Sequence, residues 1–438
     1  MMSFSIPSID LQRAAPMVVQ AYQVKQLQQL LAYLAQCSPF YQQQWKTAGI
    51  DPNTIRTLKD LQQLPFTTKA DLQAYNEAFI AAPRHQIIDY VTTSGTMGQP
   101  ITFALTEHDL QRLAWNEVNS FELAGLTSED VLLLTTTLDR RFMAGLAYFL
   151  GARQLGAGVV RVGAGLPALQ WDTIQRVAPT VLIAVPSFIL KLIDYAQQNG
   201  IDYQNSSIKK AICIGESLRQ EDFSLNTLGQ KITELWNIEL YSTYASTEMS
   251  TAFTECAAGL GGHHNPALII VEILDETGQP VPEGEAGEVV VTTLQVEAMP
   301  LVRFKTGDIC QWHQDRCSCG RNSLRLGPVL GRKGQMIKYK GTTLYPPALN
   351  DLLNQFEMVQ GFVVEAFTNE MGMDEILIKL HSISPSKALE KTIKDHCRAR
   401  LRVAPNLEFV DLNTLNQLRF PAMSRKPVLF VDNRQKQS

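Results

Sequence analysis

Apolar residues recur at helical spacing among glutamines and lysines over residues 18–34, which predicts an amphipathic helix. From about residue 85 to 245 the pattern changes. Short apolar runs at 87–92, 131–136, 159–162, 181–185, 211–214 and 238–241 alternate with amphipathic stretches. Strands alternating with helices predict an α/β sheet. After residue 265 the texture becomes β-rich. Segments 269–274 and 288–294 are dense in Val, Ile and Thr, and the turn-rich DETGQPVPEGEAG between them predicts an antiparallel pair. The glycine- and lysine-rich GRKGQMIKYKG at 331–341 marks a boundary. Beyond it the pattern reads strand (362–366), strand (376–380), helix (386–401), strand (407–410) and strand (428–432). The expectation is an α/β protein with a large N-terminal domain of mixed sheets and helices over 1–332 and a small α+β domain over 333–438.

Composition narrows the function classes. A chain of 438 residues is long for one hydrophobic core. The 39 Lys and Arg against 43 Asp and Glu leave a net charge of -4, so there is no overall basic field for nucleic acid. No apolar run approaches the roughly 20 residues that span a bilayer; the best candidate, 142–152, is interrupted by Gly145 and Gly151. The opening MMSFSIPSID lacks a basic segment followed by an apolar one, so no secretory signal is expected. Seven cysteines are an odd, sparse set that argues against a disulfide framework and for a cytoplasmic protein with reduced thiols. Reduced thiols can bind a metal.

Five segments carry the candidate chemistry. TTSGTMGQP at 92–100 follows a predicted strand, and its hydroxyls and glycines let backbone N–H groups approach phosphate oxygens. It is not the GxxxxGK[ST] loop. YASTE stands at 244–248, VRFKTGD at 302–308, GRKGQMIKYKG at 331–341, and Lys426 in SRKPVLFVDNR. Singly, each is an ordinary turn or surface segment. In this order and spacing they resemble the adenylate-forming (acyl/aryl-CoA synthetase, AMP-binding) superfamily, from about residue 85 onward. EVVVTTLQVEAMPLVRFKTGD at 288–308 and IKYKGTTLYPPAL at 337–349 are similar to its phenylacetate–CoA ligase branch.

The resemblance implies two steps: a carboxylate attacks the α-phosphate of ATP, then a thiol, usually that of coenzyme A, displaces AMP from the acyl-adenylate. Such chemistry rests on positioning and charge neutralisation. It implies that Ser94, Gly95, Thr96 and Gly98 hold the β- and γ-phosphates, although Gln99 stands where many relatives have Lys. Gly215 and Glu216 in CIGESL would form the adenine edge, with Tyr244 beside the ring and Ala245 in the wall of the acid pocket. Thr247 would support the α-phosphate and Glu248 would bind Mg²⁺, a hard cation suited to carboxylate and phosphate oxygen. Asp308 would take the ribose hydroxyls, Arg332 would reach the nucleotide, and Lys426 would contact the α-phosphate and the attacking carboxylate. The small domain would be mobile, rotating about a hinge just after Arg332, where Gly334 replaces a frequent Asp; Lys338–Gly341 would then face the thiol tunnel.

Cys317 and Cys319 form a CxC, and Cys256 lies upstream with His263 and His264. Two chain-distant pairs suit a tetrahedral Cys₃His zinc site. The resemblance implies a structural zinc in an insertion around 256–319, with Cys256, His263, Cys317 and Cys319 as ligands. His264 stays nearly as good as His263, and Cys310 and His313 remain substitutes. The acid would be aryl or arylacetic, with Phe142 in its pocket. The rivals are adenylation with transfer to a carrier protein, a nucleotide-binding scaffold without turnover, and a zinc hydrolase, which four protein ligands disfavour. Small-molecule acid, ATP and coenzyme A are the expected partners, with neither nucleic acid nor membrane; a homodimer stays open.

Overall fold

A reciprocal cap starts the helix on which much of the larger unit is assembled. Asp109 N donates to the Thr106 hydroxyl, and the Asp109 carboxylate accepts from Thr106 N at 3.0 Å, satisfying donors left free at the start of Glu107–Leu123. The same carboxylate accepts from Glu297 N at 2.7 Å and Ala298 N at 3.0 Å, tying the helix start to a segment nearly two hundred residues away. The computed structural model describes residues 6–93, 101–339, 342–369, 373–421 and 427–434. The chain forms two compact units: 1–224 with 229–306 and 310–328, and 225–228 with 307–309 and 329–438.

The first unit is built on a long mixed sheet. Its parallel half runs Glu239–Ser246, Lys210–Ile214, Val181–Ala184, Val131–Leu134, Gly158–Arg161. The helices Met143–Leu155, Pro167–Val177, Pro186–Gln198 and Thr227–Leu235 alternate with these strands along the chain. The fully buried strands read as apolar runs, VLIA at 181–184 for instance, because both faces are covered. On the other side of Glu239–Ser246 the sheet turns antiparallel through Thr251–Thr254 and Gly262–His263 to Arg325–Leu326. Ile269–Leu274 and Ala286–Thr293 form the expected antiparallel pair.

One expected strand of the α/β run lies elsewhere. Ile87–Thr92 is outside the large sheet and pairs antiparallel with Thr102–Thr106 as a separate ribbon. Its half-exposed, alternating pattern fits a ribbon better than a strand covered on both faces.

The second unit has its own core, with Phe362, Val364, Ile376, Ile378, Leu380 and Ile393 among its buried residues. Its four-stranded sheet is ordered Asn406–Phe409, Asp374–Ser382, Val359–Thr368, Phe430–Asp432; the central pair is antiparallel and both edge strands are parallel to their neighbours. Residues 307–309 join this unit by pairing with Gly331–Arg332, and Thr227 N donates to Asp351 at 2.9 Å. Among the described residues no helix is long and apolar enough to cross a membrane.

Candidate active site and metal cluster

Two neighbouring parallel strands end together. Lys210–Ile214 and Glu239–Ser246 run in register, with Ile214 opposite Thr243, so Gly215 and Glu216 emerge beside residues 244–248. The next strand, Thr251–Thr254, is antiparallel. Ligands of α/β sheets collect outside the carboxyl ends of such strands. Gly215 is exposed with a φ of 75°, a left-handed conformation in which glycine avoids the Cβ penalty. The Glu216 carboxylate accepts from Ser187 N at 2.9 Å and Ser187 Oγ at 2.8 Å in the first turn of Pro186–Gln198, where the helix dipole favours an anion.

In the second segment Tyr244 is half-buried, its ring 5.8 Å from that of Phe253, while Ala245 is exposed and Thr247 and Glu248 are half-buried. Met249 N donates to Ser246 Oγ at 3.2 Å and Ser250 N to Thr247 O at 3.3 Å, which closes the turn after Glu248. Ser250 has a φ of 48°.

Ser94, Gly95, Thr96, Gly98 and Gln99 lie outside the described residues. On either side of them, Thr93 N donates to Ile101 O at 3.0 Å and Ile101 N to Thr93 Oγ1 at 3.2 Å. Thr92 N donates to Arg141 O at 2.9 Å, linking this ribbon to the candidate acid-pocket segment. There Arg140 and Arg141 both have φ of 57° and Phe142 is half-buried. Gly145 makes the next turn fit: a Cβ on it would lie 1.9 Å from Thr137 O.

In the second unit Asp308 faces Arg332 across an antiparallel pair, and Arg332 Nε donates to Asp308 Oδ1 at 3.0 Å. The carboxylate is buried while the guanidinium is about half exposed. Lys338 is exposed on Ile337–Tyr339, with its backbone N donating to Asp374 Oδ2 at 2.9 Å. Lys426 lies outside the described residues.

Cys256, His263, Cys317 and Cys319 come together, with their ligand atoms all within 4.8 Å of one another. The Cys256 and Cys317 sulfurs are 3.6 Å apart, as are Cys319 Sγ and His263 Nε2. Tetrahedral zinc with bonds of about 2.3 Å to sulfur and 2.0 Å to nitrogen sets ligand atoms roughly 3.5–3.8 Å apart, so the donor set fits zinc. Gly320, at a φ of 86°, lets the chain fold back so that its N–H reaches Cys317 O at 2.9 Å. Burial, with Arg321, Arg325 and Arg13 adding to it, pushes His263 down to about 3, which keeps its imidazole neutral. Ser323 Oγ lies 3.5 Å from His263 Nδ1. His264 is turned away, its Nε2 2.6 Å from Ile269 O. Cys310 and His313 are not part of the four-ligand group; His313 stands instead beside Glu283 and Asp315.

The family model for "AMP-binding enzyme" matches residues 25–298. The chain belongs to the AMP-binding enzyme family. It is phenylacetate–CoA ligase-like within it: it is 31% identical to phenylacetate-coenzyme A ligase of Thermus thermophilus over 84% of this chain and 82% of that relative. The enzyme of that name from Escherichia coli is 27% identical over 83% of this chain and 82% of its own length. A crystal structure of 2-hydroxyisobutyryl-CoA ligase in the postadenylation state matches with a TM-score of 0.83 at 22% identity, covering 98% of this chain and 94% of that one. The fold is thus that of the adenylate-forming ligases.

In this AMP-binding enzyme, three supporting residues escaped the motif reading. Arg112 is buried and donates to Leu294 O at 2.8 Å, Leu268 O at 2.7 Å, Thr251 Oγ1 at 3.0 Å and Ser250 O. Two of these acceptors, on Ser250 and Thr251, lie two and three residues beyond the 244–248 segment. Burial lowers its pKa to about 10, which leaves it cationic at neutral pH. The other two are Arg219 and Glu255, a bidentate pair at 2.5 and 2.9 Å. The only signal in the sequence was their closeness to Glu216 and Cys256.

Proposed function

We propose that this chain is an AMP-forming acid–thiol ligase that activates an aryl or arylacetic acid with ATP and passes the acyl group to coenzyme A. The observation that carries this is the 31% identity to a phenylacetate-coenzyme A ligase over most of both chains. In the first step a carboxylate oxygen bonds to the α-phosphorus and pyrophosphate leaves. In the second the thiol sulfur bonds to the acyl carbon, the thiol proton passes to solvent, and AMP leaves.

The groups assigned to the nucleotide divide the work. Gly215 and the backbone at Glu216 form the adenine edge, since the Glu216 carboxylate is engaged with Ser187. Tyr244 lies along the ring, Thr247 supports the α-phosphate, and Glu248 holds Mg²⁺, which supplies charge neutralisation on the phosphates. Ser94, Gly95, Thr96 and Gly98 cradle the β- and γ-phosphates. Asp308 takes the ribose hydroxyls, oriented by Arg332. Lys426 brings the carboxylate and α-phosphate together, and Lys338 serves the thiol step. The AMP-binding role is assigned to residues 1–332 and the mobile C-terminal role to 333–438, a functional division that falls a few residues after the compact units part at 328/329. Cys256, His263, Cys317 and Cys319 hold a structural zinc: four protein ligands complete a tetrahedron and leave no position for substrate. The free thiols fit a reducing, cytoplasmic setting.

Pyrophosphate release is measured across aryl, arylacetic and short aliphatic acids, with and without coenzyme A. The proposal expects release with the aromatic acids and thioester only when coenzyme A is present. Release confined to aliphatic acids overturns the substrate class. Acyl-adenylate that coenzyme A does not discharge overturns the acceptor and favours a carrier-protein thiol.

A further inference from the structure

The Arg219–Glu255 pair joins the two features just assigned. Glu255 directly precedes Cys256, and Arg219 stands three residues after Glu216. Arg219 Nε donates to Glu255 Oε1 at 2.5 Å and Nη2 to Oε2 at 2.9 Å, in a fork that fixes both side chains. The pair is largely removed from solvent, with side-chain exposures of 15% for Arg219 and 3% for Glu255. Around it the contacts are dense. Arg219 Nη1 donates to Phe223 O at 2.9 Å, and Ser217 Oγ donates to the backbone Arg219 O at 3.1 Å, so the main chain that carries Arg219 is tied back to the turn that follows Gly215 and Glu216. Glu255 Oε2 also accepts from Ser242 N at 3.2 Å, on the strand that leads into 244–248.

A second contact reaches the metal loop from the same guanidinium. The turn begun by Cys256 closes with Gly259 N donating to Cys256 O at 3.0 Å. Gly259 has a φ of 63°, and a Cβ there would lie 2.5 Å from Arg219 Nη2. Arg219 is therefore packed directly on the turn that presents the first zinc ligand. A continuous path of contacts thus runs from Cys256 through Glu255 and Arg219 to the chain that follows Gly215.

We infer that Arg219 and Glu255 are positioning residues that couple metal occupancy of the Cys256/His263/Cys317/Cys319 cluster to adenine-nucleotide binding at Gly215 and Glu216. The inference rests on the zinc and adenine assignments made above. By linkage the coupling is reciprocal: zinc tightens AMP and AMP tightens zinc by the same factor, with typical couplings of about 5–150-fold.

The test titrates AMP calorimetrically into the full-length protein loaded with one zinc and into protein stripped by a chelator, with circular dichroism confirming the fold. The same titrations are run on the double variant Arg219→Met/Glu255→Gln. It removes both buried charges together, because leaving either one unpaired is strongly destabilising. Expected are AMP binding about fivefold or more weaker in zinc-free wild type, and, in the double variant at full zinc occupancy, weakened AMP binding that no longer responds to zinc. If stripped protein unfolds, the zinc-loaded double variant still decides. Wild-type AMP affinity in that variant, or zinc dependence that survives in it, overturns the inference while the zinc and nucleotide assignments stand. Wild type that takes up no zinc, or zinc-loaded wild type that binds no AMP, overturns the corresponding assignment and the inference together.

Discussion

Glu117 offers a quantitative test of how the larger unit is packed. It sits on Glu107–Leu123, fully enclosed, with Oε1 accepting from Asn116 Nδ2 at 2.9 Å and Oε2 without a hydrogen-bond partner among the described residues. The neighbouring helix comes so close that a Cβ on Gly151 would lie 2.3 Å from Glu117 Cβ. Burial pushes the carboxyl up from 4.5 to about 8, against a smaller lowering by Asn116. The folded pKa thus lies above the unfolded one, so the folded state keeps a proton that the unfolded chain has released. The contribution of Glu117 to stability therefore falls as pH rises from about 4.5 to about 8, by about 1.4 kcal/mol per pH unit, and levels off above. Glu117→Gln keeps the shape and cannot ionise. Relative to wild type it should be close to neutral near pH 4.5, more stable by about 3 kcal/mol at pH 7, and by about 5 kcal/mol above pH 8. All five tryptophans belong to the first unit, so urea unfolding followed by their fluorescence reads the right part of the chain. Parallel stability–pH profiles for the two proteins, at equal m-values, would refute the reasoning.

Replacing Cys317 and Cys319 together by Ser should abolish stoichiometric zinc in metal analysis and lower the melting temperature; full zinc retained by the variant rejects the ligand assignment. Lys426→Ala should stop adenylate formation yet leave transfer from a supplied acyl-adenylate to coenzyme A largely intact, measured as two separate half-reactions. Equal loss of both sinks the role given to that lysine.

Much of the architecture was legible as pattern. The runs at 131–136, 159–162, 181–185 and 211–214 became parallel strands within a residue or two of their expected ends; the inner ones are apolar because both faces are covered, while the edge strand Gly158–Arg161 is half-exposed and shows only a short Val pair. The pair at 269–274 and 288–294 was equally plain. Less visible were Thr251–Thr254, Gly262–His263 and Arg325–Leu326, which are short and mix small or charged residues. Local preference is weak over two to four residues, and long-range pairing decides. The ribbon strand at 87–92 was misplaced for the same reason: a strand's propensity does not name its partner.

By itself the sequence determined the α/β class, the family motifs and the donor types of the candidate metal cluster, since these depend on residue identity and spacing. Tertiary structure alone decided which histidine joins the three cysteines: His263 closes its short strand beside Cys319, and His264, just past the strand end, spends its nitrogen on Ile269 O. It likewise decided that the polar residues His108, Asp109, Arg112, Asn116 and Glu117 of the helix Glu107–Leu123 are buried. Their burial is set by what the helix packs against. A polar side chain can enter a core when distant backbone groups wait to bond it, as Leu294 O, Leu268 O and Ser250 O do for Arg112, and no local stretch of sequence records that those groups will be there.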